Sequence, residues 1–249
     1  MITVLVVDDS AFMRRLFSKT IDNDSHLKVI GTARNGKKAL KKIKELNPDV
    51  VTLDIEMPVK NGIETLSEIK NLSHKTPVIM VSALDNRKTV LKALELGAFD
   101  FIPKPSGSIS LNIDDIKDSL IKKIKAAATT SFNTKNTEKI NTSKKISNKK
   151  DTKLNKSKKE FPIIAIGCSS GGPKSLKQLL SELPGNLPAS IVIVQHMPAS
   201  FTTSLANRLN QETEFMVKEA GENDQIKPGQ ALLAPGNYHL KVSKRGKIK

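Results

Sequence analysis

The sequence predicts two α/β domains joined by a polar segment. The first is a doubly wound, five-stranded parallel sheet and the second a shorter α/β unit. Three observations lead there. Short β-branched apolar runs alternate with helically spaced apolar stripes. The runs of the first domain begin about twenty to thirty residues apart, the period of parallel βα units. A Lys-rich stretch over 126–160 then interrupts the pattern, and strand-like sequence resumes at Phe161.

In the first domain, residues 1–125, the apolar runs are 2–7, 29–33, 50–55, 78–81 and 99–102. They are apolar almost throughout, as strands covered on both faces must be. Between them fall the stripes of five helices. Phe12, Leu16 and Phe17 mark one, Leu40 and Ile43 the next, and Ile63, Leu66 and Ile69 the third. Val90, Leu91 and Leu94 mark the fourth, and Ile113, Ile116, Leu120 and Ile124 the fifth.

The 249 residues are enough for one large or two small domains. The 38% hydrophobic content suits two ordinary cores diluted by a spacer. No apolar run reaches membrane-spanning length, and the start lacks the basic stretch and apolar core of a secretory signal. A single cysteine excludes a disulfide framework and a Cys-based zinc cluster. A cytoplasmic setting without membrane insertion is expected. Of the formal net charge of +16, +10 lies within residues 121–160 and +6 in the rest. Over 126–160 the composition is mainly Lys, Asn, Ser and Thr, with Phe132 the one aromatic and no Gly, Pro or Arg. Such a segment cannot bury enough apolar surface to offset its chain entropy, and it reads as a disordered linker kept extended by like charge. Without arginine or interleaved aromatics it lacks the means for base readout or stacking, so no specific nucleic-acid partner is expected.

What ends each strand carries the chemistry. The first run finishes in Asp8-Asp9, the third in Asp54, the fourth in Ser82 and the fifth in Lys104-Pro105. Ligands of doubly wound sheets sit beyond the carboxyl ends of the strands, at the switch point of strand order. An order 2-1-3-4-5 brings Asp8, Asp9 and Asp54 together. Their mutual repulsion calls for a hard divalent cation such as Mg²⁺. Asp54 can then act as a carboxylate nucleophile towards phosphorus, with Lys104 and Ser82 as charge and hydroxyl donors to the transferred group. Ser10 reads as the cap of the following helix. Val6-Val7-Asp8-Asp9-Ser10, Leu53-Asp54-Ile55-Glu56-Met57-Pro58, Val81-Ser82-Ala83 and Ile102-Pro103-Lys104-Pro105 resemble a response-regulator receiver domain. The resemblance implies that Asp54 is phosphorylated by a partner histidine kinase. It also implies that Asp9, Asp54 and the backbone carbonyl of Glu56 hold Mg²⁺, with Asp8 completing the acidic pocket. Ser82 and Phe101 would be the pair that switches, although Phe101 reads equally well as a plain core aromatic. A cis Lys104–Pro105 bond is expected on the same ground.

The second domain, residues 161–249, opens on Ile163-Ile164-Ala165-Ile166 running into Gly167-Cys168-Ser169-Ser170-Gly171-Gly172-Pro173. Pro173 suits a helix start, and Leu176, Leu179, Leu180 and Leu183 continue at helical spacing. A strand, glycine-flanked turn and helix can cradle phosphate or raise a serine nucleophile. Gly167-Cys168-Ser169-Ser170-Gly171 fits G-x-S-x-G, whereas the dinucleotide template and the P-loop lysine are absent, which favours the nucleophile. The next strand, 191–194, ends in Gln195-His196. Adjacent parallel strands lie about 4.8 Å apart, so His196 can reach Ser169 as its base. Cys168 reads as small core filling, and His26, His74 and His239 are given no catalytic part. For an orienting carboxylate, Asp224 is the one Asp after residue 160, and its Gly221-Glu222-Asn223-Asp224 context reads as a turn.

The segments 165–173, 195–198, 201–209 and 234–240 resemble the catalytic domain of the CheB family of chemotaxis protein-glutamate methylesterases. A receiver, a linker and then this domain is that family's order. The resemblance implies a partial Rossmann-like α/β hydrolase domain, with Ser169 as nucleophile and His196 as general base. Ser170 stands where the family usually has Thr and Cys168 where Ala is usual. Backbone N–H groups of Ser170, Gly171 and Gly172 would support the oxyanion. The implied activity is phosphorylation-regulated removal of methyl esters from glutamates of chemoreceptor cytoplasmic domains, with deamidation of receptor glutamines and no cofactor for hydrolysis. The family's catalytic Asp lies in a later glycine-rich segment, so the chain to Lys249 resembles a version ended about halfway through that domain, and its activity is open. The alternative is a non-enzymatic phospho-acceptor with a dead hydrolase remnant or a nucleic-acid- or protein-binding output.

Overall fold

The computed structural model describes residues 1–72, 76–83, 87–104, 113–133, 161–243 and 246–248. The first unit runs β1 (Ile2–Val7), α1 (Ala11–Asp22), β2 (Leu27–Ala33), α2 (Gly36–Leu46), β3 (Val50–Asp54), α3 (Gly62–Lys70), β4 (Val78–Ser82), α4 (Arg87–Glu95), β5 (Asp100–Pro103) and α5 (Ile113–Asn133). Its sheet is all parallel in the expected order β2-β1-β3-β4-β5. Successive side chains of a strand point to opposite faces, so β1 feeds two cores. Val4 and Val6 pack with Phe17, Ile21, Leu120 and Ile124 under α1 and α5. Leu5 and Val7 pack with Ile43, Leu66 and Val90 under α2, α3 and α4.

Local chemistry starts the helices where the sheet needs them. The Ser10 hydroxyl caps α1 by accepting from Met13 N–H at 3.4 Å. Asn61 and Glu64 form a reciprocal capping box at α3, which satisfies two of the amide donors that a helix start leaves unpaired.

Two expectations need correction. Phe12 is 71% exposed, and α1 buries Met13, Phe17, Thr20 and Ile21 instead. At 3.6 residues per turn Phe12 stands about 140° around the helix from Phe17, so the two cannot share a face. Nor does the polar spacer begin at 126: α5 continues to Asn133, with Ala127 and Ala128 fully buried in the α1–α5 core. Alanine is the strongest helix former, and these two extend the Leu120 and Ile124 stripe by one turn. The linker reading over 134–160 and the Lys104–Pro105 peptide bond lie outside the described residues.

The second unit runs β6 (Ile163–Cys168), α6 (Gly172–Glu182), β7 (Ser190–Gln195), α7 (Ala199–Glu212), β8 (Met216–Glu219) and β9 (Gln230–Leu233). These strands make a parallel sheet in the order β6-β7-β9-β8. Helices α6 and α7 cover one face through Leu176, Leu180, Leu205 and Leu209 on Ile191 and Ile193. The other face carries a smaller cluster of Ala220, Ile226, Leu232 and Ile248, and no helix among the described residues. Strand β6 is an edge, with Ile163 44% and Ile164 40% exposed. The two units meet where the Phe101 ring of β5 packs on Phe201 of α7, centroids 4.6 Å apart and tilted by 39°. Among the described residues no helix is long and apolar enough to cross a membrane.

The extension of α5 is testable in the full chain. Ala128→Asp places a charge at a fully buried site and is expected to destabilise the first unit by at least about 2 kcal/mol, read as an earlier first melting transition. An unchanged transition would return residue 128 to the spacer.

Candidate functional site

The pairing of β1 with β3, Val7 opposite Leu53, sets the acidic residues side by side just past the strand ends. One carboxylate oxygen from each of Asp8, Asp9 and Asp54 lies within 4.8 Å of the others. Asp8 and Asp54 are 1% exposed, while Asp9 is open to solvent. Lys104 reaches over from β5 to within 2.7 Å of Asp54 Oδ2 and 3.4 Å of Asp8 Oδ2. Backbone amides hold the remaining oxygens: Ser10 N–H donates to Asp8 Oδ1 at 2.8 Å and Glu56 N–H to Asp54 Oδ1 at 3.2 Å.

Burial pushes the Asp54 carboxyl up to about 6, and repulsion from Asp8 adds to the rise while Lys104 opposes it. Burial likewise raises Asp8. Burial works against the Lys104 charge, yet its bond to Asp54 and the attraction of both carboxylates hold its pKa above the usual value. The pocket therefore carries more negative charge than one lysine compensates. Its hard, closely spaced oxygens fit a divalent cation.

Ser82 is buried at the end of β4, with its hydroxyl donating to Ala83 O at 3.0 Å. Phe101 is 2% exposed. The Lys123 ammonium donates to its carbonyl at 2.6 Å and sits 5.2 Å from its ring centroid. Phe101 is thus a core aromatic and also a ring that touches the second unit. Sequence reasoning missed Arg14, whose guanidinium donates to the carbonyls of Asp8 at 2.8 Å and Asp9 at 2.9 Å and so pins the acidic loop. A basic residue one turn into the helix that follows Asp8-Asp9 was its signal.

In the second unit Cys168 at the end of β6 is register partner of Gln195 at the end of β7, and His196 N–H continues the ladder to Cys168 O at 2.8 Å. The chain beyond each strand therefore leaves the sheet edge at the same level. Ser169 Oγ and His196 Nδ1 are 3.3 Å apart, and both residues are exposed. For Nδ1 to accept from the hydroxyl, the ring proton must be on Nε2. Gly171 caps α6 in the left-handed conformation, φ 75°, which only glycine adopts without strain. Cys168 packs against the core beside the Ser169 turn, its Sγ 3.7 Å from Val194 O, and burial pushes its thiol pKa up.

The expected oxyanion donors need one correction. Gly172 N–H donates to Ser169 O at 2.9 Å, so it is spent inside the turn, and Ser170 and Gly171 remain as backbone donors. Asp224 stays in its turn, accepting from Gly221 N–H at 2.7 Å and pairing with Lys218 at 2.9 Å, a bond that lowers its pKa. Among the described residues no carboxylate is bonded to the His196 ring. His26 and His239 are exposed, and His74 lies outside the described residues. Gln195 was also missed. It is a buried amide beneath the turn, and a polar residue closing an apolar strand was its one signal.

Residues 4–113 match the response regulator receiver domain and residues 164–249 the CheB methylesterase domain. A protein-glutamate methylesterase/protein-glutamine glutaminase of Halalkalibacterium halodurans is 49% identical over 98% of this chain and 69% of its own length. One from Syntrophomonas wolfei is 47% identical over 97% of this chain and 68% of its own. The response regulator domain of Thermotoga maritima CheB, a crystal structure, is 48% identical, covering 52% of this chain and 97% of that one at a TM-score of 0.48. With both domains matched in order and relatives this similar over two thirds of their length, the chain belongs to the CheB protein-glutamate methylesterase/protein-glutamine glutaminase family.

Proposed function

We propose that this chain is a phosphorylation-regulated serine hydrolase that removes methyl esters from glutamate side chains of chemoreceptor cytoplasmic domains and deamidates receptor glutamines, in the cytoplasm. The observation that carries the reading is the 3.3 Å approach of Ser169 Oγ to His196 Nδ1 at the ends of two paired parallel strands. In this mechanism Ser169 Oγ attacks the γ-carbonyl of the ester while His196 takes its proton. The N–H groups of Ser170 and Gly171 stabilise the oxyanion. His196 then returns the proton to the departing methanol, and it activates the water that frees the glutamate from Ser169.

The receiver supplies the regulation. Asp54 is the proposed acceptor of a phosphoryl group from a chemotaxis histidine kinase. Asp8, Asp9 and Asp54, with the Glu56 carbonyl, are the residues that would hold Mg²⁺. When bound, the ion offsets charge on the pocket and on the phosphoryl oxygens. Lys104 and Ser82 turn to the new phosphoryl group, and Phe101 carries the change to Phe201 on α7, the helix that follows His196. The Phe101–Phe201 contact supports this route, as does the Phe99 ring beside Gly171.

Methanol release from methylated receptor membranes tests the activity. Release by the wild-type chain, raised by acetyl phosphate, is expected to be lost in Ser169→Ala and to lose its acetyl phosphate response in Asp54→Asn. Equal inactivity of wild type and Ser169→Ala would instead make the chain a phospho-acceptor with a hydrolase remnant. The acidic pocket has its own signature in pH. Because the Asp54 carboxyl is raised to about 6, the folded chain binds that proton more tightly than the unfolded chain. Relative to Asp54→Asn, metal-free wild type should lose stability as pH rises from about 4 through 6. Added Mg²⁺ should restore it at pH 7 and do little at pH 4.5, where protons occupy the pocket. A wild-type melting curve parallel to that of Asp54→Asn at every pH, with and without Mg²⁺, would contradict the pocket assignment.

A further inference from the structure

Beneath the nucleophile turn lies a side chain that the proposed mechanism does not use. Gln195 is 6% exposed at the end of β7. Its amide nitrogen donates to Ser169 O at 2.9 Å and to His196 O at 3.2 Å. A carboxamide nitrogen has two protons, and here one goes to the backbone of each member of the Ser–His pair. Ser169 O also accepts from Gly172 N–H at 2.9 Å, so both lone pairs of that carbonyl are engaged. On the other side the amide fills the space above Gly172, where a Cβ would fall 1.9 Å from Gln195 Oε1. Gly172 is glycine because the amide occupies that space, unlike Gly171, which is fixed by its φ.

We infer that Gln195 is a positioning residue for hydrolysis, a clamp whose one amide group holds the backbones of the nucleophile Ser169 and the base His196 in reacting register. The inference rests on the reading of those two residues as nucleophile and base. Strand pairing brings the two chains to the same level, but both residues lie past the last paired residues, Cys168 and Gln195. Beyond that point the amide, with the His196 N–H bond to Cys168, ties the two loops. A misplacement of about 1 Å between reacting groups can cost about a hundredfold in rate.

The test is phosphonylation of the full chain by a fluorophosphonate, followed by intact mass and assigned to Ser169 by fragmentation, well below the melting temperature. Gln195→Met keeps the length and removes the amide. It is expected to reach one phosphonyl group per chain, with a saturating rate constant about 10- to 100-fold lower and a probe affinity within about twofold of wild type. Gln195→Asn, one methylene shorter, reaches at most one carbonyl and should fall between the two. A role limited to stability would lower the fraction labelled and leave the rate constant of the folded fraction unchanged. That result, or equal rates in wild type and both variants, overturns the clamp and leaves the Ser–His pair standing. Failure of wild type to label at Ser169 overturns the pair, and the clamp with it. Slowed labelling in Gln195→Met without methanol release from any methylated receptor keeps the clamp and removes only the proposed substrate.

Discussion

The register of neighbouring parallel strands decides which side chains meet above a sheet, and both clusters of this chain are built on it. Ladder bonds fix one strand against the next to within a residue, and a slip of one residue would turn every side chain to the other face. Val7 opposite Leu53 sets Asp8 beside Asp54. Cys168 opposite Gln195 sets Ser169 beside His196. In each case the functional group is at or just past the last paired residue, where the backbone leaves the sheet and a side chain can face solvent and neighbour at once. The apolar cores under the sheets secure the register, and the chemistry at the rim follows from it.

The two rims differ in electrostatics, and the difference suits two tasks. In the acidic pocket Asp8 and Asp54 are buried, and burial raises these two carboxyls against one lysine. Such a pocket would respond to a hard cation, or to the phosphoryl group proposed for Asp54. The Ser–His rim is exposed and built from backbone as much as side chain: a left-handed glycine cap, a turn closed by Gly172, and a buried amide below. Such a rim is preorganised, needing orientation more than charge. Between them, the aromatic contact of Phe101 with Phe201 joins the strand beside Lys104 to the helix after His196.

Much of this was legible in the sequence because chemistry-bearing residues stand directly after apolar runs. Asp8, Asp9, Asp54, Ser82 and Lys104 declare the rim of the first sheet in that way, and Ser169 and His196 that of the second. What stayed hidden depended on packing across elements. Composition makes 126–133 look like the start of a spacer, yet Ala127 and Ala128 are buried because α1 and the sheet give them a face to cover. Phe12 has the right residue type for a core stripe and the wrong angle. Gln195 reads as an unremarkable strand end; its meaning comes from two carbonyls that converge on it after a helical crossover. Gly172 as an oxyanion donor was a reasonable expectation from a helix start, and it failed because the turn itself consumes that N–H.

The central claim is that Ser169 becomes esterified by the substrate with His196 as its base. Rapid acid quench of the chain mixed with a methylated receptor peptide, followed by mass spectrometry of its proteolytic fragments, tests it most directly. The account predicts the peptide, less one methanol, attached to the fragment that carries Ser169, at the Ser169 oxygen. Attachment at Cys168, or methanol release with no attachment at any residue in single-turnover quenches, would contradict it.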